Sequence, residues 1–272
     1  MKTNEINIRD PFVLPFEGKY YMYGTRGWNC TGFDAYVSED LENWEKIPSV
    51  FEKPDDFWAT ENYWAPEVHY YNGKFYMFAS FKDPAYTRAT QILVSDRPEG
   101  PFTVHSKRIT PDDWECLDGT LYVENGVPYM VFCHEWVQIR NGEIRAVELE
   151  KDLSAAKGEP FLLWTGKDAP WVTCYAGKEG DYVTDGPFFF RGKDGGLCFL
   201  WSSFGEEGYA TGIAYSDDNT IRGKWIQKEE TVFRKDGGHA MVFETFDGRR
   251  MISLHSPNSA LNERPVFLPF TF

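Results

Sequence analysis

One phrase, returning five times along the 272 residues, narrows the open folds more than any other feature of the chain: a turn glycine followed at once by an aromatic or apolar run. It reads Gly18-Lys19-Tyr20-Tyr21-Met22-Tyr23, Gly73-Lys74-Phe75-Tyr76-Met77-Phe78, Gly126-Val127-Pro128-Tyr129-Met130-Val131, Gly196-Leu197-Cys198-Phe199-Leu200-Trp201 and Gly248-Arg249-Arg250-Met251-Ile252-Ser253. The glycines recur at intervals of roughly 50 to 70 residues, near the length of one four-stranded propeller blade with its loops. A second echo follows in four of the units, as in Tyr36-Val37-Ser38-Glu39-Asp40, Leu93-Val94-Ser95-Asp96, Val147-Glu148-Leu149 and Ala214-Tyr215-Ser216-Asp217, and supplies a third strand and its turn. The pattern predicts an all-β fold, a five-bladed β-propeller, with residues 1–272 as one domain and no linker.

The same reading accounts for an aromatic content of 17% together with 24 Gly and 16 Pro, which favours strands and punctuated turns over helices. Only Lys53 to Thr60 and Asp152 to Lys157 offer a brief helical turn. A net charge of −14 argues against nucleic acid or an anionic membrane as a partner and leaves neutral ligands such as carbohydrate. The opening Met1-Lys2-Thr3-Asn4-Glu5 is too polar for a signal peptide, so the expected location is cytoplasmic, or periplasmic or secreted if a leader has been removed. Cys30, Cys116, Cys133, Cys174 and Cys198 lack metal-ligand spacing and are expected to be buried free thiols, with no metal site among them. Oligomeric state leaves no mark in the sequence.

Three carboxylates stand at matching places in the repeat: Asp10-Pro11-Phe12-Val13, Asp118-Gly119-Thr120-Leu121 and Asp185-Gly186-Pro187-Phe188. Asp10 and Asp118 each stand eight residues before a turn glycine, Gly18 and Gly126. The first strands of propeller blades run parallel around the channel, so equal offsets form a ring near one mouth. The predicted ring is Asp10, Ala65, Asp118, Asp185 and His239. Asp-Gly is also a common turn dipeptide. The hairpin tips, however, are separately occupied by Glu17-Gly18, Asn72-Gly73, Asn125-Gly126 and Asp247-Gly248. A ring of carboxylates suits acid–base chemistry on a neutral sugar.

With Trp64-Ala65-Pro66-Glu67-Val68 and Gly238-His239-Ala240-Met241-Val242-Phe243 added, the ordered set resembles glycoside hydrolase family 43 across the whole chain. The resemblance implies a five-bladed propeller that hydrolyses arabinofuranosides, xylosides and related linkages with inversion. It implies Asp10 as the general base on water, Asp118 as the aspartate that orients and tunes the acid, and Asp185 at the position of the acid. His239 matches a central histidine that helps hold a water or a calcium ion. No cofactor is required on this reading, and calcium in the channel near His239 is the one metal it admits.

One residue departs from the family, whose acid is a Glu in a Glu-Gly-Pro phrase, where this chain has Asp185. Glu135, Glu206 and Glu207 are the alternative acids. Trp114-Glu115-Cys116 also resembles the Glu-Cys phrase of the retaining fructosidases of glycoside hydrolase family 32, but that family's Asn-Asp-Pro-Asn-Gly start is missing. Trp28, Trp64 and Trp136 lie beside inner-strand ends or loops and are candidates, with His239, for sugar binding. The expected activity is an inverting exo-glycosidase on terminal pentofuranose, α-L-arabinofuranose foremost. A β-xylosidase, a β-galactofuranosidase and a non-catalytic sugar-binding propeller are the alternatives.

Overall fold

A computed structural model of the chain describes residues 1–27 and 29–272; Trp28 lies outside the described residues. The strands form five antiparallel sheets. Blade 1 holds β1 (Arg9–Phe16), β2 (Lys19–Thr25), β3 (Gly32–Ser38) and β4 (Glu45–Glu52), and blade 2 holds β5 (Glu61–Tyr71), β6 (Lys74–Asp83), β7 (Tyr86–Ser95) and β8 (Thr103–Arg108). Blade 3 holds β9 (Cys116–Glu124), β10 (Val127–His134), β11 (Glu143–Glu148) and β12 (Phe161–Thr165), and blade 4 holds β13 (Asp185–Arg191), β14 (Leu197–Gly205), β15 (Gly208–Ser216) and β16 (Trp225–Gln227). Blade 5 has three strands, β17 (Gly238–Glu244), β18 (Arg250–Ser256) and β19 (Arg264–Pro269). Inner strands β1, β5, β9, β13 and β17 each neighbour the next, and β17 returns to β1, which closes a five-bladed propeller.

The tips behave as their sequence demands. Glu17 and Gly18 have φ of 47° and 80°, Asn72 and Gly73 47° and 83°, and Asn125 and Gly126 51° and 78°, the paired positive values of a tight hairpin whose twist matches its strands. Large rings fill the spaces between blades: Phe33, Phe51, Tyr63 and Phe81 between blades 1 and 2, and Trp164, Phe199, Trp201 and Trp225 between blades 3 and 4. Of the five cysteines, all free, Cys116, Cys133 and Cys198 are buried, while Cys30 and Cys174 are only half-buried. The α-helix found among the described residues is one turn, α1 (Trp136–Ile139), and the stretches 53–60 and 152–157 form turns and bends without a helix.

Every inner strand carries the same irregularity where it meets the second strand. Registers step from Arg9↔Thr25 to Phe12↔Tyr23, from Trp64↔Ser80 to Glu67↔Phe78, from Leu117↔Cys133 to Thr120↔Val131, from Asp185↔Ser202 to Phe188↔Leu200 and from Gly238↔His255 to Met241↔Ser253. Each step advances the inner strand by one residue more than its partner, a one-residue bulge that re-aims the side chains beside it. The residue after each first-named position is left-handed: Asp10 (φ 55°), Ala65 (45°), Asp118 (58°), Gly186 (51°) and His239 (54°). Such backbone is costly for residues other than Gly and clusters at functional sites.

Candidate active site

The bulges sort the predicted ring into two layers. Asp10, Ala65, Asp118 and His239 share the left-handed position, but the fourth blade places Gly186 there. Asp185 sits one residue earlier, in register with Arg9, Trp64, Leu117 and Gly238. This corrects the single-ring expectation, and sterics give the reason. A Cβ on Gly186 would come within 2.8 Å of the Cα and Cγ of His239, so blade 4 has no room for a side chain at the position that blades 1 and 3 give to Asp. Asp185 still reaches the same cavity. Its lining includes Asp10, Asp118, Asp185 and His239, with a volume of about 340 Å³.

Asp10 is buried among polar donors. Thr25 donates its hydroxyl to Oδ2 at 2.8 Å, Nδ1 of His239 stands 3.2 Å from Oδ1, and Nε of Arg9 stands 3.6 Å from Oδ1. Burial alone would raise its proton affinity, but His239, Arg9, His255 and the Thr25 hydroxyl outweigh it and hold the carboxyl below the ordinary aspartate range. The Asp10 N–H donates to Nδ1 of His255 at 3.3 Å, which requires a neutral imidazole. Burial supplies that state by pulling His255 down to about 4.

Asp118 goes the other way. It is buried against Asp185, and desolvation first, then the charge of that neighbour and a carboxyl–carboxyl hydrogen bond with it, push Asp118 well above the aspartate range. Gly186 N–H donates to its Oδ2 at 3.0 Å, and Nδ1 of His239 lies 3.7 Å from the same oxygen. Half-buried Asp185 accepts the phenol O–H of Tyr209 at 2.6 Å. Two carboxyls this close cannot both ionise readily, so the pair retains a proton where an isolated aspartate would have lost it.

The cavity lining is mixed. Trp64, Trp136, Tyr175 and Phe204 come from blades 2 to 4 and the segments joining them, and Asn7, Arg9, Arg26, Asn258, Leu261 and Glu263 from blades 1 and 5 and their flanking loops. The Arg88 guanidinium lies 4.7 Å over the Trp64 ring and is ion-paired with Glu135, the residue before Trp136, so one cation braces two lining tryptophans. Ring contacts continue from Trp136 to Tyr175 at 4.8 Å and from Tyr175 to Phe204 at 4.9 Å. Of the predicted sugar-binding residues, Trp64, Trp136 and His239 thus reach the cavity. Trp28 lies outside the described residues.

None of the alternative acids lines the cavity. Glu135 is ion-paired with Arg88, yet burial, with Glu115 and Asp185 nearby, raises its proton affinity, while Glu206 and Glu207 sit on the exposed turn between β14 and β15, where Glu207 pairs with Arg234. Glu115 is bound by Lys82 at 2.6 Å and accepts the Arg88 N–H at 2.8 Å, outside the cavity lining. The sequence reading missed Arg9, Thr25, Tyr209, His255 and Glu263. Arg9 precedes Asp10 directly, and Thr25 and His255 each lie seven residues after a turn glycine, Gly18 and Gly248, so these three could have been found, while Tyr209 on a third strand and Glu263 in a loop lie outside the repeated phrases.

Ligand atoms of Asp118, Asp185 and His239 lie within 4.8 Å of one another. An ion held here would meet two carboxylate oxygens and one imidazole nitrogen and would draw the rest of its six to eight ligands from water. No step below runs through a metal.

Comparison with known proteins bears on the family and the fold. The family model described as glycosyl hydrolases family 43 matches residues 4–272. An endo-arabinase from Bacteroides thetaiotaomicron superposes with a TM-score of 0.94 at 42% identity, over 100% of this chain and 97% of that one. A thermostable family-43 glycoside hydrolase superposes with a TM-score of 0.87 at 26% identity, over 100% and 93%. Among curated relatives, a xylosidase/arabinosidase of Bacteroides ovatus is 30% identical over 44% of this chain, and an extracellular endo-α-(1→5)-L-arabinanase of Bacillus subtilis is 31% identical over 51%. The matched stretches span 43% and 46% of those two relatives, less than half of each.

Proposed function

The chain belongs to glycosyl hydrolase family 43, and from that premise we propose that it is an inverting glycosidase that removes terminal α-L-arabinofuranose from arabinose-containing glycans. The observation that carries the reading is the opposed tuning of two aspartates at one repeat position. Asp10 is held ionised, as a base must be, while Asp118 and Asp185 stand so close that the pair keeps a proton for the leaving group. Asp10 takes a proton from water as the water oxygen attacks the anomeric carbon. Asp185 gives its proton to the leaving oxygen as the glycosidic bond breaks, and the product sugar has the opposite anomeric configuration. Nδ1 of His239 lies between the two carboxyls, 3.2 Å from Asp10 and 3.7 Å from Asp118.

Arabinose is supported by the relatives, which are named for arabinan or for xylosides and arabinosides. The exo mode is supported by the cavity, whose volume of about 340 Å³ lies near the small end of the range of roughly 300–1,000 Å³ for ligand sites and suits a chain end. Endo action is the second reading, favoured by the endo-arabinase likeness at 42% identity. The test is hydrolysis of nitrophenyl α-L-arabinofuranoside, β-xyloside and β-galactofuranoside, with α-1,5-linked arabinan beside them. Arabinose as the first product supports the exo reading, and early oligosaccharides replace it with the endo one. Xylose or galactofuranose release alone moves the substrate, and no turnover of any of them leaves a sugar-binding propeller.

A further inference from the structure

The five bulge residues need a partner for their N–H groups, and the blades supply one by a common device. In blade 1 the Ala65 N–H of the next blade donates to Thr25 Oγ1 at 2.8 Å. Ser80 accepts from Asp118 at 2.8 Å, Ser202 accepts from His239 at 2.8 Å, and His255 accepts from Asp10 at 3.3 Å. Thr25, Ser80, Ser202 and His255 all stand opposite the first residue of the bulge, at Arg9, Trp64, Asp185 and Gly238. The blade 3 residue at that register is Cys133, opposite Leu117. A thiol is a weak acceptor. The waiting N–H, that of Gly186, goes instead to the Asp118 carboxylate at 3.0 Å.

We infer that Cys133 is a positioning residue: by declining the inter-blade hydrogen bond that its counterparts accept, it hands the Gly186 N–H to Asp118 and so holds that carboxyl against Asp185. The consequence reaches both carboxyls. Asp118 Oδ2 gains a fixed donor, and the peptide that follows Asp185 is tied to blade 3 through Asp118 and not through the second strand. A hydroxyl at 133 would restore the common pattern, because Ser80 and Ser202 make that bond from the same backbone register. The thiol is fully buried, so a change there acts on the cavity only through the groups it touches, among them Thr184.

The inference rests on the acid role proposed for Asp185, and the test separates the two. Cys133→Ser supplies an acceptor, while Cys133→Ala removes the thiol without supplying one. The Gly186 amide proton, followed by NMR in the substrate-free protein, should move in Cys133→Ser, as its acceptor changes from carboxylate to hydroxyl, and stay near the wild-type position in Cys133→Ala. Turnover should follow: kcat on α-1,5-arabinotriose falls about tenfold in Cys133→Ser, with less than about a twofold loss on dinitrophenyl arabinofuranoside, whose leaving group needs little acid. An unmoved Gly186 amide in Cys133→Ser, or an equal displacement in Cys133→Ala, overturns the inference. A displaced amide with equal losses on both substrates upholds the hydrogen-bond exchange and removes Asp185 as the acid.

Discussion

The two sides of the cavity use one residue type for opposite ends. On the blade 5 and blade 1 side, Asp10 meets Arg9, Thr25, His239 and His255, and its charge is stabilised. On the blade 3 and blade 4 side, Asp118 meets Asp185 within a wall of Trp136, Tyr175 and Phe204, and its charge is suppressed. Both aspartates hold the same left-handed bulge position in the same repeat. The difference teaches that the repeat fixes where a carboxyl stands, while the neighbouring blades fix whether its charge is favoured or suppressed.

The largest effect that could break this comparison comes from the polar side. Asp10→Asn should lower kcat by about 10³- to 10⁴-fold for every leaving group, because attack by water needs the base however easily the aglycone departs. Steady-state rates on nitrophenyl and dinitrophenyl arabinofuranosides check this, and a variant that keeps full rate on dinitrophenyl would assign the base elsewhere. On the other side, Asp185→Asn should cost about 10²- to 10³-fold on arabinotriose but about tenfold or less on dinitrophenyl arabinofuranoside, the split expected of an acid. Proton NMR of the sugar first released by the wild-type protein should show inversion, and a retained anomer would make one of these carboxyls a nucleophile.

Smaller effects sharpen the contrast. Trp136→Ala should raise KM for arabinotriose about tenfold and leave KM for the nitrophenyl glycoside within about threefold, provided the aromatic side carries the sugar beyond the cleaved bond. Stability should run against activity at Asp118. Its raised folded-state proton affinity contributes stability that is fully present below the unfolded carboxylate value and lost as pH rises through the folded one. Asp118→Asn should therefore raise the neutral-pH melting midpoint by roughly 2 to 4 °C while lowering kcat, and calorimetry across pH should show its slope flattened. His255 gives the acid side of the curve: burial lowers it from 6.5 to about 4, so folded-state stability should fall as pH drops through that window, when the unfolded chain takes up the proton first. The smallest effect is expected from metal removal. Dialysis against a chelator should leave kcat/KM within about twofold, since the proposed proton transfers run through Asp10 and Asp185 and not through a metal.

The chain's repeat was legible without any structure, because a turn glycine and an alternating strand are local demands. Gly18, Gly73 and Gly126 each follow a residue that must also take positive φ, and Glu17, Asn72 and Asn125 announce the same hairpin in each blade. The offset from those tips carried Asp10 and Asp118 to the channel mouth for the same reason. Offset counting failed at Asp185 because it assumes equal bulges with equal occupants. Only the packed propeller shows that His239 excludes a side chain at Gly186 and moves the fourth carboxyl one residue back. The family resemblance gave Asp10 and Asp118 different roles, but neither phrase shows why their proton affinities should diverge. That distinction comes from Arg9, His239 and His255 on one aspartate and Asp185 on the other, groups brought together from blades far apart in the chain by closure of the ring.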